Sequence, residues 1–359
     1  MNAVPPTAEP DTTELTRHLP WKEVVADQPW VFRDAAVGAG VVVASGLYLW
    51  WAATSLPLRL PDGWEGLGSG IEIVAGIVAV VAVLAVVLGG FLLTQPLTER
   101  RLLRVRRFAA DNGLEYRANG APPPPVGVVF GTGLHIAVAN QLLSPEGRRI
   151  RGRTGPATVG VTIGDATLSE RSASGGAGKT RGSVGFVHVS LPTRSPHLLL
   201  DGVANNGGAR RGIARTVEHE QLVSLEGDFD RHFALYVPRD FQVEALQVFT
   251  PDVMALLIDH GRRWDIEIVD DNLFVTTSGS FRLWDASETL RLFRFIDLVV
   301  PKLGGRIARM SPVTPRPSRF DAGTTRGARL RPSRNWVLVP VLVVAGLVVG
   351  AEILVAVLD

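Results

Sequence analysis

Residues 71–95 read IEIVAGIVAVVAVLAVVLGGFLLTQ. The stretch is apolar on every face, and Glu72 is its one ionisable side chain. A helix needs about 20 residues to cross a hydrocarbon layer of about 30 Å. A buried strand of the same Val-rich composition ends after about 4–8 residues, and a core helix of a soluble protein rarely stays apolar on all sides for so long. The stretch therefore reads as a transmembrane helix, and the rest of the chain is organised around it.

Two further runs share its character, AAVGAGVVVASGLYLWWAATSLP at 35–57 and WVLVPVLVVAGLVVGAEILVAVL at 336–358. The first starts too late and runs too long for a signal-peptide core of about 7–15 residues. Trp50, Trp51, Trp64 and Trp336 sit where aromatic side chains gather at a membrane–water boundary. The spacing predicts three transmembrane α-helices. Gly346 and Gly350 give the third a small-xxx-small face for a neighbouring helix, within the chain or in an oligomer. Glu72 and Glu352 fall near the ends of their runs, within reach of water or headgroups.

Arginine placement orients the spans. Arg100, Arg101, Arg104, Arg106 and Arg107 follow the second run, and Arg316, Arg319, Arg326, Arg329, Arg331 and Arg334 precede the third. The link between the first two runs holds only Arg59 against Asp62 and Glu65. By the positive-inside rule the N-terminus and the large middle segment are cytoplasmic, and the C-terminus lies outside the plasma membrane.

Outward from the spans, residues 1–34 hold several prolines and acids and read as a disordered cytosolic tail. Residues 98–116 (TERRLLRVRRFAADNGLEY) form a basic juxtamembrane helix, with Thr98 as N-cap and Gly113 as stop. Its five arginines set topology and also suit anionic lipid headgroups, at about 1 kcal/mol each. After the stiff APPPP spacer comes a domain over 120–305. Short β-branched runs at 127–138, 157–163, 183–191, 197–201, 221–226 and 232–237 lead it. Helices at 240–248 and 251–260 follow, then a hairpin of 265–269 with 272–277 across Asp270-Asp271. An amphipathic helix at 286–303 closes it, with Leu290, Phe293, Ile296 and Leu298 as candidate core. Strands first and a mixed end second predict an α+β cytosolic domain with a largely antiparallel sheet, attached to the three transmembrane helices. Residues 306–335 read as a flexible basic linker.

The chemical motifs are few. The absence of Cys excludes disulfides and thiol catalysis. GGAGKT at 175–180 lacks the first glycine of a phosphate-binding loop, since Ala173 stands there, and a strand-like run follows it instead of a helix. None of the seven histidines has the helical i, i+4 spacing of a zinc pair. LEGDFDRHF at 225–233 gathers Glu226, Asp228 and Asp230, which at alternate positions suit a hard cation. The bland alternative is a turn with a local Arg231 pair.

Asp228, Phe229, Phe233, Tyr236, Asp240, Glu244, Ala245, Thr250, Pro251, Met254 and Leu257 follow a pattern of the form DF…F.VY…D..EA…LTP..M..L. In this the second half of the domain resembles a family of uncharacterised bacterial membrane proteins common in actinobacteria. The resemblance implies a membrane-tethered cytosolic domain and carries over no catalytic residue. Phe233 and Tyr236 are expected beneath the helix that Thr250-Pro251 opens. The function expected is a non-catalytic, tethered binding or scaffolding module, without cofactor. Its partners would be the bilayer and an unidentified protein, and no nucleic acid. The alternative is a membrane-associated enzyme using the acidic 226–231 segment.

Overall fold

The computed structural model describes residues 9–55, 65–144, 148–151, 156–172, 177–205, 221–225 and 227–309. The expected third span, the linker beyond Arg309, Glu226, Gly346, Gly350 and Glu352 lie outside the described residues. The chain divides into two compact units, Thr12–Phe108 and a second that joins Met1–Asp11 to Ala109–Asp359.

The first unit is helical: α1 (Thr13–Thr16), α2 (Trp21–Asp27), α3 (Trp30–Ser55) and α4 (Glu65–Asp111), whose last three residues belong to the second unit. Two of its segments, Trp30–Thr54 and Val74–Asp111, are long and apolar enough to cross a membrane. They form an antiparallel pair. A Cβ built on Gly38 would lie 2.7 Å from the Gly89 carbonyl oxygen, and one on Gly89 would lie 2.8 Å from that of Gly38. Glycine at both positions lets the backbones touch, as in close-packed helices of membranes. Farther along, the Tyr48 hydroxyl donates to the Ala75 carbonyl at 3.0 Å. Val43, Leu47, Val83, Leu84 and Phe91 all point outward, as side chains facing lipid do.

Pro96 lies inside α4 without ending it. The Thr94 and Thr98 hydroxyls on either side of it donate to the carbonyls of Phe91 and Thr94, at 2.7 and 3.2 Å. The expected span at 71–95 and basic helix at 98–116 are therefore one helix. It stops at Gly113, whose φ of +63° permits the closing bonds Gly113 N–H to Ala110 and Leu114 N–H to Ala109.

The N-terminal segment corrects a second expectation. Residues 13–27 form α1 and α2 where a disordered tail was predicted. Leu19 and Val24 bury against Leu103, while Glu14, Glu23 and Asp27 pair with Arg106 and Arg107. Acidic residues that look solvating in sequence thus find fixed arginines on α4.

The second unit is α+β. It contains β1 (Glu115–Gly120), α5 (Gly127–Phe130), β2 (His135–Leu143), β3 (Arg148–Arg151), β4 (Pro156–Val159), β5 (Val161–Arg171) and β6 (Ala177–Gly202). After these come β7 (Leu222–Val223), β8 (Phe233–Tyr236), α6 (Gln242–Val248), α7 (Pro251–Gly261), β9 (Asp265–Ser278) and α8 (Ala286–Ile307). The main sheet runs β1-β2-β5-β6-β8-β7, and β9 pairs with β6. All of these pairings are antiparallel.

Strands β6 and β9 are bent double. Fully extended, the 14 residues of β9 would set its ends about 43 Å apart. Yet the Asn205 side chain bonds both Asp265, at 2.7 Å, and the Ser278 N–H, at 3.1 Å. The strand folds back at Asp270, whose φ is +57°, so the hairpin expected across Asp270-Asp271 is present. Strand β6 arches around it: Val184–Ser190 pair with Ser278–Asn272, and Leu198–Leu200 with Ile268–Ile266. The interruption falls between Ser190 and Ser195, where Pro192 lacks the N–H a ladder needs.

The two faces of the sheet differ. On one, Gly261 of α7 lies against Ile266 and the Phe295 ring of α8. The inward side of α8 carries Leu292, Phe293, Ile296, Val299, Val300 and Leu303. Leu298, expected in the core, is 47% exposed, because it lies about 200° around the helix from Ile296. Asp285 caps α8 by accepting the N–H groups of Ser287 and Glu288 at 2.9 and 3.3 Å. The opposite face packs Val138, Ala166, Leu168, Val184, Phe186, Val269 and Phe274 against Val129 and Phe130 of α5.

Candidate functional site

Cross-strand partners share a face, so the α5 side of the sheet can be followed along its hairpin end. The pairs Leu199–Glu267 and Leu199–Tyr236 put Glu267, Leu199 and Tyr236 in one row. Alternation along the strands adds His197, Asp201 and Asp265 to the same side. All four ionisable strand residues are buried: His197, Asp201, Asp265 and Glu267. A period of two in HLLLD and DIEIV would suggest that these side chains face water. They do not, because α5 and its flanks cover them.

Glu267 is the centre of this row. Its Oε1 accepts the Val128 N–H of α5 at 2.6 Å and lies 2.6 Å from His197 Nε2. Oε2 is buried without a hydrogen-bond partner. Gly127 has φ +81°, and a Cβ there would come within 2.6 Å of both carboxylate oxygens. A side chain at 127 is thus excluded by conformation and by space. Next to this lock, the Asp265 carboxylate accepts from Gly202 N–H at 2.9 Å and from Asn205. Burial, and then the nearby Asp201 charge, raise the pKa of Tyr236. His188 lies in the same sheet face, stacked on Phe274 at 5.1 Å with Nε2 2.9 Å from Asn272 Oδ1. Burial lowers its pKa, against the opposing effect of the Asn272 bond.

No family model, curated protein or solved structure matches the chain. The chemistry of its sites therefore has to be judged from geometry.

The acidic segment singled out in the sequence is a turn. Asp228 is exposed, 4.0 Å from His232. Asp230, also exposed, closes the turn by accepting the Leu225 N–H at 3.1 Å and the Ser224 hydroxyl. No group of three metal-ligating side chains occurs among the described residues. Phe229 and Phe233 stack at 5.1 Å in the core. Tyr236 is not beneath α7 as expected: it lies on the other sheet face, with Leu199 and Val128. The described part of GGAGKT, residues 177–180, opens β6, with Thr180 paired to Ser169.

Of the five juxtamembrane arginines, Arg106 bonds Asp27 at 3.0 Å and Glu99 at 3.2 Å. Arg107 bonds Glu23 and lies 3.7 Å from Glu14. Arg106 and Arg107 are thus engaged by acids from α1, α2 and α4 itself.

Proposed function

We propose that the protein is a multi-pass membrane protein whose α+β unit is a cytosolic, non-catalytic binding module. The observation that carries this reading is the fate of the His197–Glu267 pair. A general base must reach a proton on its substrate, whereas both of these side chains are almost wholly enclosed and hold α5 in place. Other described carboxylates serve the fold in the same way: Asp230 closes a turn, Asp285 caps α8 and Asp265 accepts the Gly202 N–H. The positive-inside pattern of the sequence supports a cytosolic domain, and a third span at 336–358 fits the same pattern. The resemblance to uncharacterised actinobacterial membrane proteins agrees with a tethered module of this kind.

The experiment is photo-crosslinking in native membranes from a probe at Val243, an exposed position on α6, followed by identification of captured protein. A discrete partner that is lost when the domain is unfolded by mutation supports the reading. Hydrolytic or transfer activity that disappears in Asp228→Asn/Asp230→Asn would replace it with the enzymatic alternative. Orientation is tested separately, and the Cys-free chain makes that simple. In intact cells an impermeant maleimide should label Thr54→Cys but reach Asp240→Cys only after permeabilisation.

A further inference from the structure

Arg100 and Arg104 lie one turn apart on α4, and neither meets a carboxylate among the described residues. The Nε of each is enclosed without an acceptor. The Arg100 guanidinium lies over the Trp21 ring at 4.6 Å, and Trp21 meets Phe32 edge-on at 5.6 Å. Trp21 and Val25, on the outer side of α2, are exposed, as are Trp30 and Phe32 at the start of α3. The depth of this group follows from the helix pairing. With Gly38 beside Gly89 and Tyr48 beside Ala75, Trp30 stands about level with residue 97. Arg100 is then within about one turn, or 5 Å, of the level at which α3 enters its apolar run. Lipid phosphates and interfacial aromatics occupy that level.

The geometry points to a binding site for one anionic phospholipid headgroup, formed by Arg100 and Arg104 with Trp21 as its wall. It rests on α3 and α4 crossing a membrane, and not on which side the domain faces. Two adjacent guanidinium groups without counter-ions suit a phosphodiester, whose oxygens their planar forks engage. A zwitterionic lipid brings its own cation and gains less. The exposed Trp30, Phe32 and Leu97 offer apolar surface to acyl chains, which a soluble phosphate would leave unused. Arg106 and Arg107 are not part of the site, since Glu14, Glu23, Asp27 and Glu99 already neutralise them.

The test is native mass spectrometry of the full-length protein in detergent, titrated with phosphatidylglycerol, phosphatidylcholine or inorganic phosphate. Phosphatidylglycerol should be retained preferentially. Arg100→Gln/Arg104→Gln should weaken it about thirty-fold, the combined effect expected of two arginines at a membrane surface. Arg106→Gln/Arg107→Gln should leave that preference intact while raising hydrogen exchange in residues 12–27. If α2 also loosens in the Arg100/Arg104 variant, Arg104→Gln alone, away from Trp21, decides by the same criterion. Equal binding of the two lipids, unchanged binding in the Arg100/Arg104 variant, or an equal loss in the Arg106/Arg107 variant would overturn the inference. Displacement of the lipid by inorganic phosphate would also overturn it, in favour of a soluble anion. Failure of the protein to insert into bilayers would instead refute the membrane-spanning reading beneath it.

Discussion

Asp165 offers the sharpest test of the domain's electrostatics. It sits on β5, paired with Ala139 and Gly185, and is largely buried. Burial pushes its pKa up to about 6 from 3.8, against the partial compensation of bonds from Asn140 and the Phe281 backbone. The folded state therefore holds the proton more tightly than the unfolded chain. The resulting stability is fully present below about pH 4 and is lost as pH rises towards 6. At about 1.4 kcal/mol per pH unit, the gap between 3.8 and about 6 is worth roughly 3 kcal/mol. Asp165→Asn removes that penalty but weakens the bond that Asn140 donates to the carboxylate, a loss of about 1 kcal/mol. The variant should be about 2 kcal/mol more stable than the parent at pH 7.5, and equal to it or slightly weaker at pH 4. Pulsed thiol labelling in urea measures this in the second unit alone, using Ala245→Cys as a reporter at a fully buried site in an otherwise Cys-free chain. A difference between the two proteins that does not change from pH 4 to pH 7.5 would refute the reasoning.

Three further outcomes are expected. Gly127→Ala should destabilise the domain by about 2–4 kcal/mol, through a left-handed backbone and a methyl group forced onto Glu267; the same labelling assay checks it, and a neutral result would remove the lock at α5. Gly38→Leu should separate α3 from α4 and lower the melting temperature of the helical unit in detergent, while Gly40→Leu, with nothing near its Cβ, should not. Asp285→Ala should remove about 1 kcal/mol at pH 7 by uncapping α8. Bonds from Ser287 and then Glu288 depress the pKa of Asp285, so its contribution is present above the ordinary carboxylate range and is lost as pH falls through the lowered value. Wild type and Asp285→Ala should therefore converge in acid, as the Asp165 pair does, but here the variant is the less stable protein at neutral pH.

The legible parts of this sequence were those in which local chemistry and tertiary context agree. The apolar runs from 35 and 71, the Asp270-Asp271 turn, the Thr250-Pro251 helix start and the Gly113 stop each carry a signal within a few residues. What escaped depends on distant partners. α1 and α2 are held by arginines about 80 or more residues later that meet their acids, as in the Arg107–Glu23 pair. The His197–Glu267 row carries no local sign of burial in the sequence. Its burial depends on Val128, whose N–H reaches Glu267 across 139 positions of sequence. One local hint was available: Gly127 stands one residue beyond the Pro122–Pro125 run, where glycine makes a positive φ cheap. Leu298 failed for a simpler reason, since the apolar stripe of α8 is set by Leu292, Ile296, Val299 and Leu303.

The nesting of β9 inside the arch of β6 has a consequence for biosynthesis. The strands β1, β2, β5 and the rising half of β6 pair with near neighbours in sequence, so their ladder needs no later part of the chain beyond β9 on its last edge. The descending half of β6 must wait with one edge open until residues 265–278 arrive, some 65 positions later. Until then the nascent domain holds a slot the width of one hairpin. A synthetic peptide with the sequence of residues 265–278, DIEIVDDNLFVTTS, is shaped to enter that slot, so a chain interrupted before Asp265 becomes a candidate for complementation in trans.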